Sequence, residues 1–492
     1  MDFGVLAWAH GALSQPHGPR TGRFANLAGA AVLALVALTW PAIAPRAADL
    51  GGDCCSDLEE RIAELEAVAA RKGNRTMRLT VSGQLSHAIF AFDDRDERNA
   101  YQVMNSNASD RFRFDGYAKI GNGLEVGYFL EIGLSQPSSS GVSQFTDDPI
   151  RAAPEVNQSL WYVHSDKLGT VTLGLAAAAT DDAISYNLGG TNVAASSSIF
   201  NVGGGLFTRD RTIAGSAGLN DLSSGNTMSL RWRRFAPDLG TDIGNLIRYD
   251  SPKFMGFAAS AAWGEDDFWD VALRYAQDSK EFKIAGAIGF SENRDEDDDS
   301  FGWPPGGDSE PNNGGSVVRE YKGSLSAMHV PSGLFASAAY LRREFSGKDL
   351  GMLTFACFSS PDAIEIRNVA GVACTNRPDL DYYWVNAGIR RNFFGIGFTS
   401  IYGEYARSED AVTGLNVSVA SAGGGDIDYV TSSSMQMWGV GIVQHISAAQ
   451  IDLFFSYRHL SANVAGLEPD GTAVVAPLED VDMFLAGSRI RF

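Results

Sequence analysis

After residue 48 the chain has no uncharged apolar run long enough to cross a bilayer as a helix, so any membrane-spanning part beyond that point must be made of strands. Positive charge is also in short supply. Against 59 acidic residues stand 39 Lys and Arg, a formal net charge of −20, and no basic face accumulates to bind the phosphates of nucleic acid. Cysteine is limited to four, with no metal-ligand spacing among them, and the His residues are scattered. There is no H-E-x-x-H, no G-x-S-x-G and no dinucleotide-type glycine motif between a strand and a helix, so no catalytic constellation, metal or cofactor is expected. What is plentiful is glycine, 54 residues, and aromatics, 11%, a balance of turn and strand formers that points to an all-β protein.

The first 47 residues read as a secretory signal behind an unusually long leader. Arg20 and Arg23 precede an uncharged stretch, Phe24 to Ala44, and small residues follow at Ala42, Ala44, Ala47 and Ala48. Cleavage follows either Ala44 or Ala47, the second being preferred because Pro45 is a poor new N-terminus. Residues 48–76 are expected to hold a short periplasmic helix, coiled-coil-like, from Gly51 to Gly73. Ser56 and Glu59 make a capping box, Leu58, Ile62, Leu65 and Ala69 form an apolar seam, and Gly73 supplies the stop. A helix this short is marginal alone, so it either joins subunits within a host assembly or packs on a barrel rim.

From residue 77 to 492 the period is two. Phe112, Phe114, Gly116, Ala118 and Ile120 alternate with Arg111, Arg113, Asp115, Tyr117 and Lys119. After Gly121-Asn122-Gly123 the alternation resumes, as a hairpin requires. Sixteen such segments are expected, at 78–92, 110–120, 124–134, 157–165, 170–179, 241–250, 255–264, 268–277, 281–291, 317–330, 334–345, 381–392, 396–407, 434–446, 450–460 and 480–492. Tight connections such as Asp166 to Gly169, Pro331 to Gly333 and Ser447 to Ala449 alternate with long Gly-, Ser- and Asp-rich ones, the link at Glu265-Asp266 being a short exception. That rhythm and an even count describe a 16-stranded antiparallel transmembrane β-barrel. Its last residue, Phe492, follows Ile490 in the final strand and resembles the terminal signature that barrel-assembly machinery recognises.

The exported chain resembles the porins of alphaproteobacteria, within the Gram-negative trimeric outer-membrane porins. The residues that carry the resemblance are Asp57 to Glu66, Leu168-Gly169-Thr170-Val171-Thr172-Leu173-Gly174 and Ile247-Arg248-Tyr249-Asp250-Ser251-Pro252. It implies a homotrimer in the outer membrane of a Gram-negative bacterium, in contact with lipid and lipopolysaccharide, passing small hydrophilic solutes and ions by diffusion. It also implies a third external loop folded into the lumen. Physics asks for such a loop independently, because sixteen strands tilted near 45° enclose a cylinder roughly 30 to 35 Å across. The stretch Thr180 to Thr241 is long enough to narrow it, its Gly-Ser-Ala texture leaving disorder as the alternative.

With that loop inside, Asp181, Asp182, Asp210 and Asp221 are expected to face a basic wall of Arg111, Arg113, Arg248, Arg274, Arg390 and Arg458, tuning ion preference across a narrow gap. The alternative is that these arginines only satisfy lumen carboxylates such as Asp115 and Asp452. Cys357 and Cys374 bracket one loop and are expected to be joined, while adjacent Cys54 and Cys55 are candidates for cross-linking subunits. The acidic run Glu292 to Asp299 reads as solvated surface or as a cation bridge to lipid phosphate. Two rival functions remain, an outer-membrane structural protein or adhesin and a barrel enzyme. Bilayer conductance separates the first from a channel, and hydrolysis of lipid or ester by purified protein would favour the second.

Overall fold

A computed structural model describes residues 77–492 except 122, 146–152, 221–227, 237–238, 240–242, 265–266, 295–315, 348–377, 414–416, 419–426, 428, 468–472 and 477. The expected signal segment and N-terminal helix, Cys54, Cys55, Cys357, Cys374 and Asp221 lie outside the described residues. No helix among the described residues is long and apolar enough to cross a membrane, and the strands do that work.

The strands are β1 Arg78–Asp93, β2 Arg111–Gly121, β3 Leu124–Ser135, β4 Ala153–Ser165, β5 Gly169–Ala177, β6 Ile243–Asp250, β7 Phe257–Gly264 and β8 Trp269–Asp278. They continue as β9 Phe282–Asn293, β10 Ser316–His329, β11 Leu334–Gly347, β12 Leu380–Arg391, β13 Thr399–Glu409, β14 Tyr429–Ile446, β15 Ile451–Leu467 and β16 Val481–Arg491. Each pairs antiparallel with its chain neighbours, and β16 pairs with β1, so the sheet is a closed ring with no free edge. Two further short strands of the same sheet, Arg98–Met104 on β1 and Ala473–Ala476 on β15, are flaps outside that ring of sixteen, and Met228–Ser229 pairs with Val417–Ser418 as a separate parallel ribbon.

The period of two becomes an inside and an outside. In β8 the outward residues Trp269, Val271 and Leu273 are exposed, while Asp270, Ala272 and Arg274 are buried inward. Outward aromatics line up across neighbouring strands, Trp269 with Phe290 and Phe290 with Tyr321, Tyr340 with Tyr383, then Trp438, Tyr457 and Phe484. Rows of this kind are the aromatic girdle of a membrane barrel, the amphipathic rings sitting at the lipid-water interface.

The ring is sealed at the β16–β1 seam. Phe492 continues the ladder past the last strand residue, its N–H donating to the Gly83 carbonyl at 3.1 Å and its carbonyl accepting from the Gly83 N–H at 2.9 Å. Gly83 also faces Phe112 of β2, and the Phe112 and Phe492 rings approach to 5.7 Å across it. A Cβ at Gly83 would lie 2.7 Å from both Phe492 Cζ and the Arg111 carbonyl, so only glycine leaves space for the rings to cover the strand.

The closed barrel should run differently on a gel before and after boiling, because detergent finds no edge from which to unzip it. Gly83→Val should lower the temperature at which the folded band converts, with an overpacking cost of about 1–3 kcal/mol. A Gly83→Val protein that converts at the wild-type temperature would show that the rings do not close the seam.

Candidate functional site

The chain between β5 and β6 enters the barrel and packs on its inner wall. Val193, Ala194, Ala195, Ile199, Val202, Leu206, Leu230, Trp232 and Phe235 are buried against inward side chains of β11 to β16 and β1, among them Leu341, Tyr382, Trp384, Met435, Met437, Leu460, Met483, Leu485, Phe90 and Phe92. Part of the lumen therefore holds an apolar core like that of a water-soluble domain. Small residues are required where the loop meets the wall. Gly203 has φ +74°, and a Cβ there would lie 2.2 Å from Met483 Sδ.

Polar groups on the inward strand faces fasten the loop by its backbone. Thr180 donates from N–H and hydroxyl to Asp270 Oδ2 at 2.5 and 2.8 Å. Ser324 donates to the Ala183 carbonyl at 2.7 Å, and Ser400 to the Gly189 carbonyl at 2.6 Å. Tyr382 donates to the Ser197 carbonyl. Four of the expected wall arginines do the same. Arg248 reaches the Ala177 and Ala178 carbonyls while paired with Asp250 at 2.8 Å. Arg274 reaches the Ala179 and Asp181 carbonyls. Arg390 donates to the Leu188 carbonyl at 3.1 Å and stacks over Phe398. Arg458 donates to the Ile199 carbonyl at 2.7 Å and pairs with Glu404 at 2.8 Å. A guanidinium suits this task because its rigid fork holds a carboxylate and a carbonyl at once.

Beyond the wall the loop is tied to its neighbours. Arg209 pairs with Asp94 and Asp96, each at 3.0 Å, in the connection after β1. Gln144, in the connection after β3, exchanges two hydrogen bonds with Phe207. Arg211 donates to the Leu478 carbonyl ahead of β16 at 2.7 Å.

Arg111 and Arg113 are placed differently. They lie on the inward face of β2 beside Glu131 of β3, Arg113 at 2.5 Å and Arg111 at 3.8 Å. Their side chains keep 19% and 30% of their surface in contact with solvent, against 1% for Arg458 and 7% for Arg248, which are sealed beneath the loop. Inward and wet means facing lumen water.

Of the expected acids, Asp182 is exposed at the start of the loop, with φ +59°, and its charge acts on the Arg111 guanidinium. Asp181 contributes its carbonyl to Arg274. Asp210 is buried, and its Oδ1 accepts from the Thr212 N–H and hydroxyl, both at 2.6 Å, which makes it a turn cap within the loop. Tyr186 sits between Asp182 and Arg274, where burial pushes its hydroxyl pKa up and the Arg274 charge draws it partly back, so it remains neutral.

Two inward arginines absent from the expected wall join Arg111 and Arg113. Arg491 of β16 lies opposite Gln84 of β1, which is itself opposite Arg111. Arg489 pairs with Asp452 of β15 at 2.6 Å, and Asp452 also accepts from His445 at 2.8 Å. Their alternation with Ile490 and Phe492 in the final strand was the available sign. No group of three or more His, Cys, Asp and Glu side chains is arranged to hold a metal ion among the described residues.

Comparison with known proteins adds the following. The sequence profile of the Gram-negative porin family matches residues 31–474. Among solved structures the chain is similar to an anion-selective porin from Comamonas acidovorans, at 15% identity and TM-score 0.48, covering 85% of this chain and 100% of that one. It is similar to OprB of Pseudomonas putida at 11% identity and TM-score 0.48, covering 89% and 97%. It is also similar to OmpT of Vibrio cholerae, an outer-membrane protein solved in a trimer form, at 11% identity and TM-score 0.45, covering 85% and 100%. A search of curated protein sequences returned no match.

Arg458→Met should cost about 3–5 kcal/mol, because Glu404, wholly buried, is left charged without its partner. Adding Glu404→Leu should restore most of the loss. Thermal unfolding of both variants in detergent checks this, and a single variant as stable as wild type would remove the clamp from the account.

Proposed function

The chain belongs to the Gram-negative porin family, and from that premise we propose that its loop-narrowed lumen passes small hydrophilic solutes and ions, sorted by size and charge and without catalysis. It is an outer-membrane channel for passive diffusion. The observation that carries the finer reading is the loop between β5 and β6, held across the lumen by carbonyl clamps from β6, β8, β12 and β15. A loop fixed at so many points narrows the opening by a set amount. In this reading Arg111 and Arg113 form the basic side of the opening and Asp182 its acidic side. Arg248, Arg274, Arg390 and Arg458 hold the loop in place, and Asp210 shapes the loop's outer turn.

We assign the functional unit as a homotrimer, with β1 and its flap on the subunit interface. The outward aromatic row supports this assignment, because it runs from Trp263 of β7, opposite Trp269, to Phe484 of β16 and ends at the seam. Phe484 is opposite Ala91, and Ala91 is opposite Ala100. Beside them His87 contacts Gln102 at 3.3 Å on the outward face, a polar pair that suits a protein neighbour better than acyl chains. The Cys357–Cys374 staple, recognition of Phe492 by assembly machinery and contact with lipopolysaccharide belong to the same proposal.

Purified protein in planar bilayers should give stepwise conductance. Deleting residues 195–214 should raise the step size and admit larger sugars in liposome swelling wherever the barrel still forms, since ring hydrogen bonds run between strands and not through the loop. An assembled deletion barrel with unchanged steps and sugar limit would place the narrowing elsewhere. Ala100→Trp should convert unheated trimers to folded monomers on a gel, and persistence of the trimer would move the interface away from β1.

A further inference from the structure

Between the Arg113–Glu131 pair and the short turns, the inward residues of β2, β3 and β4 stand in rows. The first is Asp115, Phe129 and Leu160, the next Tyr117, Gly127 and Tyr162, and the last Lys119, Glu125 and His164. Gly127 leaves a gap in the middle row that the Tyr162 ring enters, since a Cβ at Gly127 would lie 2.1 Å from Tyr162 Cζ. Asp115, Glu125 and Tyr117 all lie close enough for their charges to act on the Tyr162 hydroxyl. Phe129 holds the Arg113 guanidinium 5.9 Å from its ring centroid, so its ring already attracts a cation. Asp115, Tyr117 and Phe129 are half-buried.

The two carboxylates of this group lack a countercharge. Glu125 is only 6% exposed, and neither it nor Asp115 makes a hydrogen bond or ion pair among the described residues. Neighbouring cations do not supply one. Arg113 is held by Glu131, Arg78 donates to the Tyr117 hydroxyl at 3.4 Å, and exposed Lys119, opposite Glu125, forms no ion pair with it. A carboxylate so buried and uncompensated is costly, and a positive charge from outside the chain relieves that cost.

Resting on the channel reading above, we propose that Asp115, Glu125, Tyr117, Phe129 and Tyr162 form a lumen site for small organic cations bearing an alkylammonium group. The ring faces attract the charge while its methyl groups lie against their carbon, and the carboxylates neutralise it. Potassium lacks the apolar surface and a sugar lacks the charge, so each gains only half of the interaction.

The test is current through planar bilayers in potassium chloride, titrated with tetramethylammonium chloride. The current should fall along a saturating curve, and glucose at the same concentrations should give no saturating fall. Glu125→Gln should raise the half-blocking concentration several-fold and still fold, because it removes a charge that nothing in the barrel holds. Phe129→Leu should raise it as well while leaving the current in potassium chloride alone unchanged, an outcome that wall charge by itself does not produce. A heat-shifted gel band confirms folding, and either folded variant decides the matter. Block that does not saturate, saturating block by glucose, or a folded variant with the wild-type half-blocking concentration would each overturn the proposal. Ordinary conductance steps without block would leave the diffusion channel standing, whereas a folded barrel that gives no steps would sink the channel reading itself.

Discussion

Every backbone N–H and C=O that enters hydrocarbon must find a partner within the protein, and the whole molecule follows from that demand. A sheet meets it only by closing, so the sixteenth strand must return to the first. Closing a ring of sixteen leaves an interior far too wide for side chains to fill, and the chain responds with a loop that carries its own apolar core into the space. The loop has backbone groups of its own to satisfy. It obtains partners from inward serines, threonine, tyrosine and arginines, which is why so many polar side chains can sit buried in a wall otherwise built for lipid.

The arginines divide by the partner they find. Those at the loop are spent on carbonyls and on one buried carboxylate each where β6 and β15 supply it, as with Arg248 and Asp250 or Arg458 and Glu404. Arg111 and Arg113 of β2, which the loop does not cover, keep contact with water beside Glu131. The same residue type thus serves as scaffold beneath the loop and as solvent-touching surface on β2, and the difference lies in whether the loop covers it.

The architecture was legible in the sequence because alternation survives wherever one face meets lipid. All sixteen expected segments overlap a barrel strand, with the largest errors at the ends of β4, β14 and β15. There the pairing runs on past the apolar band, through Ser432 and Ser433 for example, where polarity no longer distinguishes strand from loop. The flap Arg98–Met104 was hidden for the same reason. The loop's position was readable from its length, but its clamps were not, since their acceptors are main-chain carbonyls that no residue pattern marks. Arg489 and Arg491 were legible too, in their alternation with Ile490 and Phe492 along the final strand.

The placement of those two arginines has a consequence for how the protein comes to exist. Arg489 and Arg491 are among the last residues of the chain, while Arg111 and Arg113 lie in the second strand, and only the pairing of β16 with β1 brings them together. Met483 and Leu485, on that same strand, also complete the apolar core around the loop. The pairing of β16 with β1 therefore seals the wall and also supplies part of the loop's apolar seat and half of the seam arginines. A barrel without that last pairing lacks part of the support that holds its own constriction as well as its seal.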